Sequence, residues 1–383
     1  MREIESNIRL SDGNRTPILI KLTVVLCGLL MPHFAGADTS EGAYPLFEAD
    51  QPLMIELIGP WREISKDRNP DPEWRDATLR LTDAQTRQTA ENDLAIRVQP
   101  RGKSRRRPEV CDFPPLWLNF KRSELAGTVF ANQNKLKLVT HCGRLGTRAT
   151  SYADRLHSEY LLYRIFNQFT PLSFRVRAVS VTYIDENDKS AKRYSHPAFI
   201  IEHKRTLAER NSAVLSKKNA ISLKELDADY SATAALFAYF AGNTDYSFRS
   251  SPDKEGCCHN SVPLSIGSDQ QAGDQKGGGK VFSVPYDFDS TGFVDPPYAV
   301  TADGLGLSRV TTRLHRGYCR HSPSLPQAIE QFQKAKQQTL GLIEDFAPLS
   351  NKQRKILLRY TNKFYEVIDN PKKTERLLAK RCR

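Results

Sequence analysis

The sequence predicts an α+β protein of two lobes, with a β-rich extension leading a β-rich first lobe and a helical second lobe. Three observations carry this prediction. Short runs of period-two alternation crowd the stretch from Leu53 to His141. From Asp227 onward the apolar residues recur at mostly helical spacing. The chain has 383 residues, enough for two domains or one large two-lobed body. The boundaries read as a signal segment at 1–37, an extension at 38–105, a first lobe at 106–203 and a second lobe at 204–383.

The elements follow in order. Lys21 precedes the apolar run LTVVLCGLLM, and Ala35-Gly36-Ala37 supplies the small residues of a cleavage site, so export is expected. Ten apolar residues are too few to anchor the chain, and no later segment is long and apolar enough to cross a bilayer. LMIELIG (Leu53–Gly59), ATLRLTD (Ala77–Asp83), LAIRVQP (Leu94–Pro100), LWLNF (Leu116–Phe120), TVFAN (Thr128–Asn132) and KLKLVTH (Lys135–His141) read as strands. In the last of these, Lys135, Lys137, Val139 and His141 share one face and Leu136 and Leu138 the other. A helix is expected over Ser151–Phe169, where Leu156, Tyr160, Tyr163 and Phe166 recur at helical spacing. SFRVRAVSVTYID (Ser173–Asp185) and HPAFIIEHK (His196–Lys204) read as a strand pair. The apolar helix Asp227–Ala241 stops at Gly242. KVFSVPYDF (Lys280–Phe288) reads as a lone strand after Gly277-Gly278-Gly279, and the chain from about Pro326 reads as helical. Linkers are expected at Lys66–Pro72, Arg101–Pro108 and Asp269–Gly279.

The formal net charge of +12 gathers in RGKSRRR (Arg101–Arg107) and in the C-terminal KKTERLLAKRCR. Such runs form solvated faces or meet phosphate groups and anionic envelope polymers; no nucleic-acid partner is expected. Six cysteines remain beyond the signal segment, and an even number in an oxidising compartment favours disulfides. Cys111 and Cys142 flank strands of one region and are expected to pair. Neighbouring cysteines rarely bond each other, so Cys257 and Cys258 are each expected to reach elsewhere. A zinc site drawn from Cys257 to His259 and Cys319 to His321 is the rival reading, although its spacing matches no common zinc pattern. Ser-His-Asp hydrolysis is excluded by the lack of a G-x-S-x-G elbow.

Phosphoryl transfer needs a lysine for nucleotide phosphates, a glutamate to hold it, an aspartate near the acceptor hydroxyl, and oxygen ligands for magnesium. Candidates occur in that order: Lys137 on a strand, Glu159 on the next helix, Asp245 after the apolar helix, then Asn260, Asp287 and Asp289. Magnesium takes hard oxygen ligands, which Asn260, Asp287 and Asp289 can provide. Plainer readings stand beside these. Lys137 reads equally as an exposed strand lysine, Glu159 as a helix-surface charge, and Asn243 and Asp245 as turn residues.

GNTDYS, CCHN and VPYDFDSTG, with KLKLVTHC and FRVRAVSVTYID upstream, resemble an exported bacterial family related to the spore coat protein H (CotH)-like atypical kinases. GN-x-D is also similar to a motif of other atypical kinases, the HipA-type toxins among them. The resemblance covers the chain from about Leu53 to the C-terminal helices. It implies a kinase-like two-lobed fold with ATP or another nucleotide bound between the lobes together with Mg2+. Asp245 would be the catalytic aspartate, Asn260 and Asp287 metal ligands with Asp289 beside them, and Lys137 paired with Glu159 the phosphate holder. Glu202, in FIIEHK, would lie at the nucleotide hinge. The expectation is therefore an exported, monomeric Mg-nucleotide phosphotransferase of the periplasm or exterior, acting on a protein or envelope acceptor. Its alternatives are a catalytically silent envelope-binding or scaffold protein, and nucleotidyl (AMP) transfer from the same site.

Overall fold

Seven strands close into a barrel, and the closure decides the architecture. The structure, a computed structural model, describes residues 44–82, 93–146, 150–251, 256–267 and 279–383. The expected signal segment and most of the Asp269–Gly279 linker lie outside the described residues. In chain order the elements are β1 (Leu53–Gly59), α1 (Trp61–Lys66), β2 (Arg75–Thr82), β3 (Leu94–Pro100), β4 (Leu116–Phe120), β5 (Lys135–Val139), α2 (Thr150–Phe166), β6 (Val176–Asp185) and β7 (Arg193–Ile201). They continue with α3 (Lys204–Arg210), β8 (Val214–Leu215), α4 (Ala228–Ala241), β9 (Ser261–Ile266), β10 (Lys280–Pro285), α5 (Leu325–Lys334), α6 (Lys336–Glu344), α7 (Asn351–Ile368) and α8 (Pro371–Leu377).

The barrel order is β1-β2-β3-β4-β5-β7-β6, closed by a parallel pairing of β1 with β6 that sets Leu53 beside Val179 and Gly59 beside Asp185. Closure removes free strand edges, and every strand must then split its residues between an interior and an exterior. Leu57, Leu79, Val98, Leu118, Leu136, Leu138, Val181 and Ile200 fill the interior. The residues that alternate with them on β5 and β7, among them Val139, Phe199 and Ile201, face outward and pack against α2 in the second core. That core joins α2 and α4 to the C-terminal helices and to a separate sheet of order β10-β9-β8.

This overturns the expected two-lobed kinase-like fold. The strands assigned to an N-terminal extension are not an addition to a separate lobe: β1, β2 and β3 are three of the seven staves of the closed barrel. The second half is not a purely helical lobe either, because β8, β9 and β10 form its own sheet. The physical reason is the hydrogen-bonding demand of β1, which is met on one side by β2 and on the other by β6.

Smaller expectations also change. TVFAN is a turn, in which the Thr128 hydroxyl accepts from the Phe130 N–H at 3.1 Å and Asn132 adopts φ 63°. SVPLSI, not among the expected strands, is β9 and gives the expected lone strand β10 its partner, with Pro263 accommodated in the pairing. The C-terminal region breaks into four helices, with Asn370 capping α8 and Pro371 at its first position. The helix ending at Gly242 stands as expected: Asp227 caps its start by accepting from the Tyr230 N–H, and Gly242 takes φ 66°. A side chain at Gly242 would collide with the Tyr360 hydroxyl and the Gly292 backbone.

Cys111 pairs with Cys142 as expected, and Cys319 pairs with Cys382, tying the C-terminus to the turn that precedes α5. Cys257 and Cys258 bond each other, contrary to expectation. With the other four cysteines joined pairwise, the two neighbours are left to each other, and their tight turn continues into the bridge that sets His259 against Ser247. No zinc site forms from these residues, since all six sulfurs are in disulfides. Among the described residues no helix is long and apolar enough to cross a membrane.

Candidate functional site

The segment Tyr286–Asp289 is held at the point where the barrel, α2 and the small sheet meet. β9 and β10 run antiparallel to the Ser261–Pro285 pairing, and one step further the Tyr286 N–H donates to the Asn260 carbonyl at 3.0 Å. Asp287 then turns at φ 63°, and its N–H is taken by the Tyr163 hydroxyl of α2 at 2.9 Å. Phe288 is fully buried against Tyr163 and Phe237, with centroids at 4.7 and 5.4 Å. The acids that flank this ring, Asp287 and Asp289, both line the small cavity beside Arg105.

Asp289 receives Arg105 Nε at 2.7 Å, and the same guanidinium gives Nη2 to Glu159 at 2.6 Å. The Tyr298 hydroxyl is a further neighbour of Asp289 at 3.4 Å. Asp287 has no ion pair of its own among the described residues. Burial, then the adjacent Asp289 charge, pushes its carboxyl above the usual range. Burial likewise lifts Glu159 to about 7 despite the opposing pull of Arg105.

Lys137 does not pair with Glu159, whose place as partner Arg105 has taken. Its ammonium lies instead over the Tyr286 ring at 4.2 Å and near the Trp117 ring at 5.7 Å. Burial, helped by the nearby Arg101 charge and opposed by Asp287, lowers Lys137 to about 7. Glu202 is also otherwise engaged. Arg210 grips it at 2.7 and 3.0 Å and the Arg175 N–H donates to it at 3.1 Å, so its carboxylate braces the end of β7. Lys137, Glu202, His203, Trp117, Tyr286 and the Cys257–Cys258 pair line a cavity of about 300 Å³. A second, smaller cavity of about 50 Å³ lies among Gly102, Ser104, Arg105, Glu159, Asp287 and Asp289, and Tyr286 borders both.

Asp245 and Asn260 come together across the chain between them. Asn260 Nδ2 donates to Asp245 Oδ2 at 3.1 Å and to the Asp245 carbonyl at 2.7 Å, and His259 Nε2 meets Asp245 Oδ1 at 2.7 Å. The His259 hydrogen bond and charge, with Asn260, hold the Asp245 carboxyl below its ordinary value. The turn is fixed from below by Arg316, which donates to the carbonyls of Thr244 and Tyr246. Asn243 accepts from the Asp245 N–H at 2.9 Å, so the turn reading of this segment holds together with the constellation.

Five of the expected site residues are thus linked: Asp245 through Asn260 to Tyr286 and Asp287, with Lys137 on the Tyr286 ring and Asp289 beyond. Glu159 enters through Arg105 and not through Lys137. The basic loop, expected as a linker that forms a solvated face or meets phosphate groups, supplies Arg105, which the expected constellation did not include. Arg105 is its inward-facing member with Arg101 half-buried near it, and the signal in RGKSRRR is the Gly, which permits φ 89° at Gly102 where the loop turns toward the acids.

Among the described residues no group of three or more His, Cys, Asp or Glu side chains converges to hold a metal ion. Asp289 is neutralised by Arg105, which leaves the Asp287 carboxylate and the Asn260 side-chain oxygen as donors. Two protein ligands suit a magnesium ion that keeps its waters and arrives on phosphate oxygens; they do not make a protein cage. No protein-family model matches this chain, and no curated protein sequence matches it.

Proposed function

We propose that this site is a phosphoryl-transfer centre that takes a magnesium-bound nucleotide, the protein being an exported phosphotransferase. The observation that carries the reading is that Tyr286 borders two cavities, one lined by Lys137 and the other by Arg101 together with the Asp287–Asp289 pair. A phosphate chain and its cation require cationic and anionic groups side by side, and a buried like-charged pair of carboxylates is costly unless a cation relieves it. The order of GNTDYS, CCHN and VPYDFDSTG, with its resemblance to CotH-like kinases, supports the same reading.

In this mechanism Lys137 and Arg101 bind the phosphates, and the aromatic border of Trp117 and Tyr286 gives the rest of the nucleotide an apolar wall. The magnesium ion, when bound, would offset charge on the phosphates, with Asp287 and Asn260 as its protein donors. Asp245 accepts the hydrogen bond of the acceptor hydroxyl and orients it. His259 keeps that carboxylate ionised and in one rotamer, and Asn260 fixes it from the other side. Three disulfides fit an oxidising compartment and, with the apolar run LTVVLCGLLM, support the periplasm or the exterior as its location.

A second reading has its own observation. Arg105 already satisfies Glu159 and Asp289, as a lock that holds the fold would, and this favours binding without turnover. Thermal unfolding with MgATP, comparing the wild type with Asp287→Asn, tests the site. Relief of the carboxylate pair raises the melting temperature of the variant without ligand, whereas the MgATP-induced rise is lost. If MgATP never shifts the wild type, the nucleotide reading fails. Mass spectrometry after incubation with ATP then separates phosphoryl transfer, nucleotidyl transfer and silent binding.

A further inference from the structure

The direction of the barrel strands gathers the ends of β1, β3, β5 and β6 and the starts of β2, β4 and β7 at one mouth. The connections at this mouth enclose a cavity of about 530 Å³, separate in its lining from the two cavities around Tyr286. Barrel mouths are common ligand sites, and this volume suits a small organic molecule.

The charge of the cavity is uneven. Arg62, Lys66, Arg68 and Arg144 line it, against the carboxylates of Asp112 and Asp185. Both carboxylates are already engaged. Asp185 accepts from the N–H groups of Arg62 and Asn187 at 2.7 and 3.0 Å, and Asp112 accepts from Arg144 at 3.3 Å. Lys66 is exposed, and Arg68 gives one nitrogen to the Asp67 carbonyl at 3.2 Å. Arg62 pairs with Asp188 at 2.8 Å, so Lys66 and Arg68 are the cations of this lining in excess of its carboxylates.

The inner wall differs from the rim. Phe113 lines the cavity and stands against Tyr183 with centroids 4.9 Å apart. Tyr183 and His196 are buried, yet the Tyr183 hydroxyl and His196 Nε2 have no hydrogen-bond partner among the described residues. Neither residue lines the cavity, whose half-buried apolar wall is Leu145 and Tyr194.

We propose that the barrel mouth is a second ligand site, for a small phosphate or sulfonate ester that carries an apolar ring. The anionic group meets Lys66 and Arg68, which offer charge-assisted hydrogen bonds, and the ring meets Leu145 and Tyr194, the half-buried apolar part of the lining. The site is independent of the phosphoryl-transfer reading, because none of the residues that line it belongs to that constellation.

Calorimetric titration of phenyl phosphate into the full-length protein tests this. Saturable binding is expected, weakened about tenfold or more by Lys66→Ala with Arg68→Ala and unchanged by Lys137→Met. Lys66→Glu, at an exposed side chain, carries the same expectation without touching the packing. Phenol and inorganic phosphate should each bind about tenfold more weakly than phenyl phosphate, since each lacks one half of the recognised group. The proposal is overturned by absence of saturation in the wild type, by full binding in the Lys66 and Arg68 variants, or by inorganic phosphate or phenol matching phenyl phosphate. Loss of binding in Lys137→Met would also overturn it, by placing the anion beside Tyr286.

Discussion

Replacing Arg105 by Met removes the cation that Glu159 and Asp289 share while keeping most of the side-chain volume. The Arg105 and Glu159 side chains are 11% and 3% exposed and the Asp289 side chain 12%, so solvent does little to compensate the loss. Removing one partner of a buried pair costs about 3–5 kcal/mol, chiefly because the remaining charge is stranded. Glu159 gives an independent measure. With Arg105 in place burial still lifts its carboxyl to about 7 against an ordinary 4.5, so ionising it in the fold is unfavourable even with its partner present. The sign follows from linkage. A carboxyl whose folded pKa is raised contributes its stability below the unfolded value of 4.5, and that contribution is lost as pH rises from there to the folded value. In Arg105→Met the folded value moves higher still, so the loss continues above pH 7. Urea unfolding of the wild type, Arg105→Met, Glu159→Gln and the double variant at pH 5 and pH 8 provides the assay. The cost of Arg105→Met should reach about 3–5 kcal/mol at pH 8 and be smaller at pH 5, and adding Glu159→Gln should restore about 1–3 kcal/mol at pH 8. An equal cost at both pH values, or one under about 1 kcal/mol, would refute the reasoning.

Lys137 at about 7 is charged only below neutrality, so MgATP affinity should be highest in mild acid and fall about tenfold per pH unit above 7. Lys137→Met should weaken binding and flatten that dependence, as read by titration calorimetry from pH 6 to 9. The two residues after the Cys257–Cys258 disulfide both hold Asp245. Replacing both cysteines by Ser should let the Asp245 carboxyl titrate nearer its ordinary value, which carboxyl NMR measures. Burial lowers His141 to about 3 and His157, His203 and His315 to about 4. The unfolded chain takes up those protons near 6.5, so stability should fall between pH 6.5 and 4, the four imidazoles outweighing the opposite trend of Glu159. A urea midpoint unchanged over that range would sink the prediction.

Legibility in the sequence followed the range of the interaction. Period-two alternation located β1 through β5 because each strand separates interior from exterior within its own residues, as Leu136 and Leu138 do against Lys135 and Lys137. Alternation says nothing about which strands meet. The parallel seam between β1 and β6 joins segments separated by more than a hundred positions, so the strands of the supposed extension could not be seen as barrel staves. β9 was hidden by Pro263, whose missing donor costs little where β9 meets the two-residue β8. The Asp245, Asn260 and Asp287 grouping was visible because its members fall at the ends of elements, where polar residues have no packing duty to explain them.

The basic run Arg101–Arg107 shows where local reading fails. Arg107 is exposed, as a solvated face requires, and Arg106 reaches the carbonyls of Asn69 and Pro70, pinning the linker after α1. Arg105, between them in character with nothing in the string to set it apart, is instead buried between two carboxylates that arrive from α2 and from the turn after β10. The positive φ at Gly102 and the short turn at Ser104–Arg106 decide which guanidinium points inward. A charge run is thus three different interactions at three successive positions. The lysine–glutamate pair expected from composition and order was displaced by a planar guanidinium that can bridge two acids at once, which a single ammonium on β5 has no geometry to do. That exchange leaves Lys137 without a carboxylate partner among the described residues, its ammonium over the Tyr286 ring at the cavity, where an incoming phosphate would recharge it.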